Sequence, residues 1–179
     1  MSPPLLVVLA GLPGTGKTTI GRLLAGRLRA AYLRTDVIVG PMLRAGGLTE
    51  DETGAAGVGY DIACEVATEN LHLGVPVVVD GVHATHERRA LWRDVSVATR
   101  ARLVHLETTL SDGVEHRLRV DRRQAPEVGY LGPTWDQILE MEYDAWSEPI
   151  DGPRLLVDTS DTDAALAACL AHITRPNPA

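Results

Sequence analysis

The stretch Leu5-Leu6-Val7-Val8-Leu9-Ala10-Gly11-Leu12-Pro13-Gly14-Thr15-Gly16-Lys17-Thr18 decides how this chain reads. Its first six residues are continuously apolar, the pattern of a strand buried on both faces of a parallel sheet. The next eight match G-x-x-x-x-G-K-[ST] in full. Beyond them, residues 17–29 place Ile20, Leu23, Leu24 and Leu28 at helical spacing. Strand, glycine loop and helix, in that order, form a phosphate cradle. The glycines let backbone N–H groups turn inward around anion oxygens, and the helix aims its positive end at the same charge. Lys17 is expected to reach the β- and γ-phosphates, and the Thr18 hydroxyl is placed to ligate Mg2+. The expected nucleotide-binding set is Gly11, Leu12, Pro13, Gly14, Thr15, Gly16, Lys17, Thr18 and Thr19. The plainer reading is a glycine-rich turn with a chance Lys-Thr pair, but strand, loop and helix all agree with the phosphate reading.

Four shorter apolar runs follow, at 30–33, 75–79, 101–106 and 155–157, each ending at a polar residue. Helical patterns lie between or after them. They cover 61–73, stopped by Gly74, and 85–98, with Thr85 as cap. They continue at 111–123, at 133–143 with proline in the first turn, and at 161–174. This alternation predicts an α/β fold, a five-stranded parallel sheet with helices on both faces. Ligands of such sheets sit beyond the carboxyl ends of the strands. That singles out Gly11, Asp36, Asp80, Glu107 and Asp158. Two glycine- or proline-rich stretches, 40–60 and 124–133, read as insertions or mobile pieces.

The chain has 179 residues, the size of one domain, taken as a single unit over 1–179. A net charge of -7 argues against a basic nucleic-acid or anionic-membrane binder. No apolar run approaches the roughly 18 residues of a membrane span. The apolar N-terminal run lacks the positive flank of a signal peptide. Cys64 and Cys169 are too few for a disulfide framework and read as small buried hydrophobes. A cytoplasmic location is expected. Of the 17 basic residues only Lys17 is a lysine. It stands where a compact, flexible ammonium is needed.

Asp80 closes Val77-Val78-Val79, an apolar strand ending in an acid, where a carboxylate holds Mg2+ or its water. Before Gly81 it also reads as a turn aspartate. Asp36 follows the weak second strand. It reads as the base for an attacking hydroxyl or as the cap of a helix over 37–43, and the two roles are compatible. One helix carries Arg117, Arg119, Arg122 and Arg123. Guanidinium groups on a closing segment stabilise the charge that phosphoryl transfer spreads over oxygens. Arg119 and Arg123, four apart, are expected to be catalytic together with Lys17 and Asp36. Arg117 and Arg122 are assigned to nucleotide binding, and Arg117 is also spaced to pair with Asp121. The plainer reading of all four is a solvated basic face. The stretch after them suits the hinge of a lid over about 119–133.

The 11–18 loop, Asp36 after the second strand, Val77-Val78-Val79-Asp80 and the arginine-rich 116–123 together resemble the small P-loop kinases. That group includes chloramphenicol phosphotransferase, zeta toxin, gluconate kinase and the polynucleotide 5′-kinase domain. The resemblance runs over about residues 5–159. It implies a P-loop NTPase sheet in the order 2-3-1-4-5, a helical lid, and phosphoryl transfer from ATP or GTP to an acceptor hydroxyl, with Asp36 as base. The lid here is short. The expected function is a Mg2+-dependent phosphotransferase acting on a sugar, nucleoside or antibiotic hydroxyl. The likeness to chloramphenicol phosphotransferase suggests antibiotic resistance. A nucleotide-dependent switch and a zeta-toxin-like nucleotide-sugar kinase are the alternatives.

For the acceptor, the variable segment 37–73 holds one arginine, Arg44, where a kinase gripping an acceptor phosphate needs several. An uncharged or weakly charged hydroxyl acceptor fits better, and Arg34, Arg88 and Arg89 leave an anionic one open. Trp135 and Tyr143 read as ring-stacking residues or as ordinary packing. Glu52, Asp61 and Glu65 read as acceptor contacts or as a solvated face. His83 and His86 lack the companions a zinc site needs. The loop 158–160 is where this fold meets the base, by analogy.

Overall fold

The computed structural model describes residues 3–44, 54–122 and 132–175. Strands β1 (Leu5–Ala10), β2 (Ala31–Arg34), β3 (Val77–Asp80), β4 (Arg102–Thr109) and β5 (Arg154–Asp158) form one sheet. Its order is β2-β3-β1-β4-β5 and every pairing is parallel. This is the sheet expected from the sequence.

Side chains alternate along a strand, so β1, apolar throughout, needs cover on both faces. On one face Val7 and Leu9 meet Ile20 and Leu24 of α1 (Lys17–Leu28) and Leu166, Cys169 and Ile173 of α8 (Thr162–Thr174). On the other, Leu6 and Val8 meet Ala63, Ala67 and Leu71 of α3 (Gly54–His72) and Trp92 and Val95 of α4 (His86–Thr99). Burial of each large aliphatic side chain contributes about 1.5–3 kcal/mol, so both layers hold the central strand.

Three boundaries differ from the sequence reading in ways that bear on the site. β3 and β4 run on to Asp80 and Thr109 because ladder pairs such as Leu9↔Asp80 and Ala10↔Glu107 continue into polar residues. Asp80 is therefore the last residue of β3, and Glu107 lies inside β4. Residues 54–60 are regular helix, not a mobile piece; 45–53 lie outside the described residues. Gly59 lets this helix pack close against α2 (Thr35–Arg44), since a Cβ there would run into Val39.

Thr85 caps α4 as expected, its hydroxyl accepting the Arg88 N–H at 3.3 Å. After α5 (Gly113–Arg122) comes α6 (Trp135–Leu139), shorter than the pattern at 133–143 suggested. Tertiary bonds take over downstream: Asp144 N donates to Ala84 O at 2.9 Å, and Trp146 Nε1 donates to Gly152 O at 2.8 Å. A short helix that the sequence did not suggest, α7 (Glu148–Asp151), follows. Among the described residues no helix is long and apolar enough to cross a membrane.

Candidate functional site

The loop joining β1 to α1 is open toward an anion and braced from behind. Gly11 has φ 132°, and a Cβ on it would collide with the Thr108 backbone of β4. Thr15 Oγ1 donates to Leu12 O at 2.7 Å and lies 2.8 Å from Thr108 Oγ1. Thr159, just past β5, donates its hydroxyl to Thr15 O at 2.8 Å. Gly16, the N-cap of α1, has no side chain to cap the first amides, which leaves them to an incoming anion. Lys17 is buried, its ammonium donating to Gly11 O at 2.7 Å and Leu12 O at 2.8 Å. The charge is thereby held at the loop.

Beside the loop, one carboxylate oxygen collects several donors. Asp80 Oδ2 accepts from Thr18 Oγ1 at 2.7 Å and from the Tyr32 hydroxyl at 2.8 Å. Burial, then the Asp80 charge, raises the Tyr32 pKa, so its hydroxyl stays a donor. Arg34, buried at the end of β2, lies 3.6 Å from Asp80 and 3.6 Å from Asp36. It thus links the two acids that the sequence singled out. Asp36 stands in the first turn of α2, which begins at Thr35, so it sits inside the helix and is not its cap. A negative charge there is favoured by the helix dipole.

A cavity of about 390 Å3 opens over Gly14, Gly16 and Lys17. Thr18, Thr19, Arg22 and Arg34 line it, as do Arg119, Arg122 and Thr162. α5 reaches it because it is docked on the loop. His116 Nε2 bonds to Pro13 O at 2.7 Å. A Cβ on Gly14 would lie 2.6 Å from Val120 Cγ2 and 3.0 Å from the His116 ring. Arg119 is steered by Glu115 at 2.9 Å and by Thr159 O at 3.4 Å. Arg117 does not line the cavity: it is mostly exposed and lies 3.9 Å from Asp121. The arginines that meet over the loop are therefore three apart on the helix, Arg119 and Arg122. Arg123 and most of the expected lid lie outside the described residues.

Behind Asp80 the chain turns through a buried polar cluster. His83 is fully buried with φ 47°, a strained value for a residue other than glycine. Its Nδ1 accepts from Trp92 Nε1 at 3.1 Å, and its backbone N–H donates to the Tyr60 hydroxyl at 3.1 Å. Burial holds its pKa well below the usual histidine range. Arg89 is fully buried. It donates to His83 O, Ala84 O and Asp144 O at 2.7–3.0 Å and to Asp151 at 3.1 Å. His86 joins the same Asp151 carboxylate at 2.9 Å.

The remaining aromatic and acidic candidates are absorbed by packing or solvent. Trp135 stands edge-on to His116 at 5.1 Å, and Tyr143 donates to Glu107 at 2.8 Å. Asp61 and Glu65 are exposed, and Glu52 lies outside the described residues. The sequence reading missed Tyr32, Arg22 and His116. Tyr32 had one legible signal, since it shares a strand face with Arg34 two residues on.

A family model described as an AAA domain matches residues 6–131, well over half of the chain. The chain belongs to this AAA-domain family. The matched part of the AAA domain runs from β1 through α5 and contains the loop, Asp36, Asp80, Arg119 and Arg122. A candidate kinase from Chloroflexus aurantiacus J-10-fl has a similar fold, with TM-score 0.76 at 20% identity, covering 97% of this chain and 100% of that one. Chaetomium thermophilum Kti12 in complex with ADP-AlF3 follows at TM-score 0.70 and 18% identity, covering 95% and 100%. A gluconokinase from Sinorhizobium meliloti 1021 gives TM-score 0.61 at 20% identity, covering 98% and 94%. Identity this low shows a common fold. No curated protein sequence matches the chain.

Proposed function

We propose that this AAA-domain protein is a Mg2+-dependent phosphotransferase. It moves the γ-phosphate of ATP or GTP to a hydroxyl of a small molecule such as a sugar, a nucleoside or an antibiotic. The observation that carries the reading is the run Thr18–Asp80–Arg34–Asp36 beside the phosphate loop. It supports a catalytic carboxylate within reach of the same region as a hydroxyl–carboxylate pair.

Thr18 Oγ1 and Asp80 Oδ2, 2.7 Å apart, are hard oxygen donors of the kind Mg2+ takes, so the residues fit the ion. When bound with nucleotide, Mg2+ would offset the charge of the β- and γ-oxygens. In this reading Lys17 binds those oxygens and holds them at the loop. Arg119 and Arg122 cover the transferred group from α5. An alcohol must lose a proton as it attacks, and Asp36 accepts it. The fold shared with a gluconokinase supports an alcohol acceptor.

The test is phosphate transfer from labelled ATP and GTP to a panel of alcohols. Asp36→Asn should keep nucleotide affinity and cut the transfer rate by roughly 10²–10⁴. Lys17→Ala should abolish transfer, and full turnover by that variant would refute the nucleotide assignment. A nucleotide-driven switch, the second reading, instead predicts hydrolysis that no alcohol accelerates.

A further inference from the structure

The arginines near the acceptor side are not equivalent. Arg89 is buried and committed to Asp151 and three carbonyls. Arg34 sits between Asp36 and Asp80. Arg88 differs from both: it is half-buried, and among the described residues no carboxylate forms an ion pair with it. Its guanidinium carbon lies 4.5 Å from the centroid of the Tyr60 ring.

That platform is rigid. The Tyr60 hydroxyl accepts the His83 N–H at 3.1 Å, and its ring stands edge-on to His83 at 5.3 Å. The Arg88 backbone is pinned by the Thr85 cap. A guanidinium stacked on a fixed ring keeps its donor edge free for an in-plane partner. Across from it stands Gly57 of α3, where, among the described residues, an added Cβ would meet only Arg88 Nη2, at 4.0 Å. The described residues therefore leave room beside the fork.

The location is the end of the sheet where such folds take their ligands. α3 leads into β3 and α4 leaves it, so Gly57 and Arg88, both in first turns, lie at the carboxyl end of the sheet. Burial pushes the Tyr60 hydroxyl up to about 12, with Arg88 drawing it down and Asp36 pushing it up. Both charges thus act on this one ring. We propose that Arg88 recognises an oxyanion on the acceptor, which is an alcohol that also carries a carboxylate or a phosphate. This rests on the kinase reading above. It revises the expectation of an uncharged acceptor: one preorganised guanidinium, with no carboxylate ion-paired to it among the described residues, serves in place of several arginines. A carboxylate or phosphate takes two parallel N–H bonds from such a fork.

The experiment uses matched pairs of alcohols, gluconate with glucose and glycerol 3-phosphate with glycerol. Binding to the full chain is measured by calorimetry with Mg2+ and a non-hydrolysable ATP analogue, and transfer is measured with ATP. The parent should prefer the charged member of one pair, and the pair tells carboxylate from phosphate. Arg88→Gln should weaken that charged member by about 10- to 100-fold, as expected for hydrogen bonds to a charged group. The neutral member and the nucleotide should bind as before. Arg88→Lys, which keeps the charge but not the fork, should fall between and guards against a folding defect. No preference in the parent for either charged member, or equal weakening of both members in Arg88→Gln, overturns the proposal. Arg88-dependent anion binding with no transfer to any alcohol leaves the anion site standing and refutes the kinase reading. Transfer to alcohols regardless of charge or of Arg88 does the reverse.

Discussion

Asp151→Ala is the sharpest probe of how the loop behind the site is held. The Asp151 carboxylate is fully buried and accepts from Arg89 at 3.1 Å, His86 at 2.9 Å and the Ser147 N–H at 2.8 Å. Its removal leaves the Arg89 guanidinium, itself fully buried, without a counter-charge. Breaking a buried pair from one side costs about 3–5 kcal/mol, chiefly from the stranded charge. For a domain of this size that is a fall in melting temperature of about 6–20 °C. The cost should centre on the loop, because Arg89 also ties His83 O, Ala84 O and Asp144 O together. Urea denaturation of the parent, Asp151→Ala, Arg89→Leu and the double variant measures the coupling. The double variant should be less damaged than the sum of the two single ones, since no unpaired charge remains. A loss below about 1 kcal/mol for Asp151→Ala, the range of an exposed pair, would refute the view that this ion pair braces the loop.

Gly14→Ala should weaken nucleotide binding more than tenfold while the chain stays folded. Its φ of 86° disfavours any Cβ, and the new methyl would push Val120, and with it Arg119 and Arg122, off the loop. Unchanged affinity in a nucleotide titration would count against the docking of α5. Stability should also depend on His105, whose pKa burial lowers from 6.5 to about 4. Between those values the unfolded chain binds more protons. The contribution is therefore intact above pH 6.5 and shrinks, by about 3 kcal/mol in all, as the pH falls toward 4. His105→Asn should flatten that fall in urea midpoints measured between pH 7 and 4.5; an unaltered slope would show that other groups set it. Tyr32→Phe, which removes one donor from Asp80, should weaken Mg2+-dependent nucleotide binding only a few-fold, whereas Thr18→Val should abolish the metal dependence; equal effects would contradict the roles given to the two hydroxyls.

The sequence by itself determined the phosphate loop, the alternation of strands and helices, and the acids that follow β2 and close β3. These are local matters. A glycine loop binds through its own backbone, and burial on two faces writes itself into contiguous residues. The tertiary structure decided which residues meet. Arg89 reaches Asp151 across 62 positions, and His116 reaches Pro13 across 103. No local pattern encodes such contacts, because they follow from the order in which the strands pair. The same packing chose Arg119 and Arg122 over Arg117 for the cavity, since Val120 and His116 seat one face of α5 on Gly14. It also set Arg88 apart from Arg89, two neighbours in sequence that point to different surroundings because a helix turns 100° between consecutive residues.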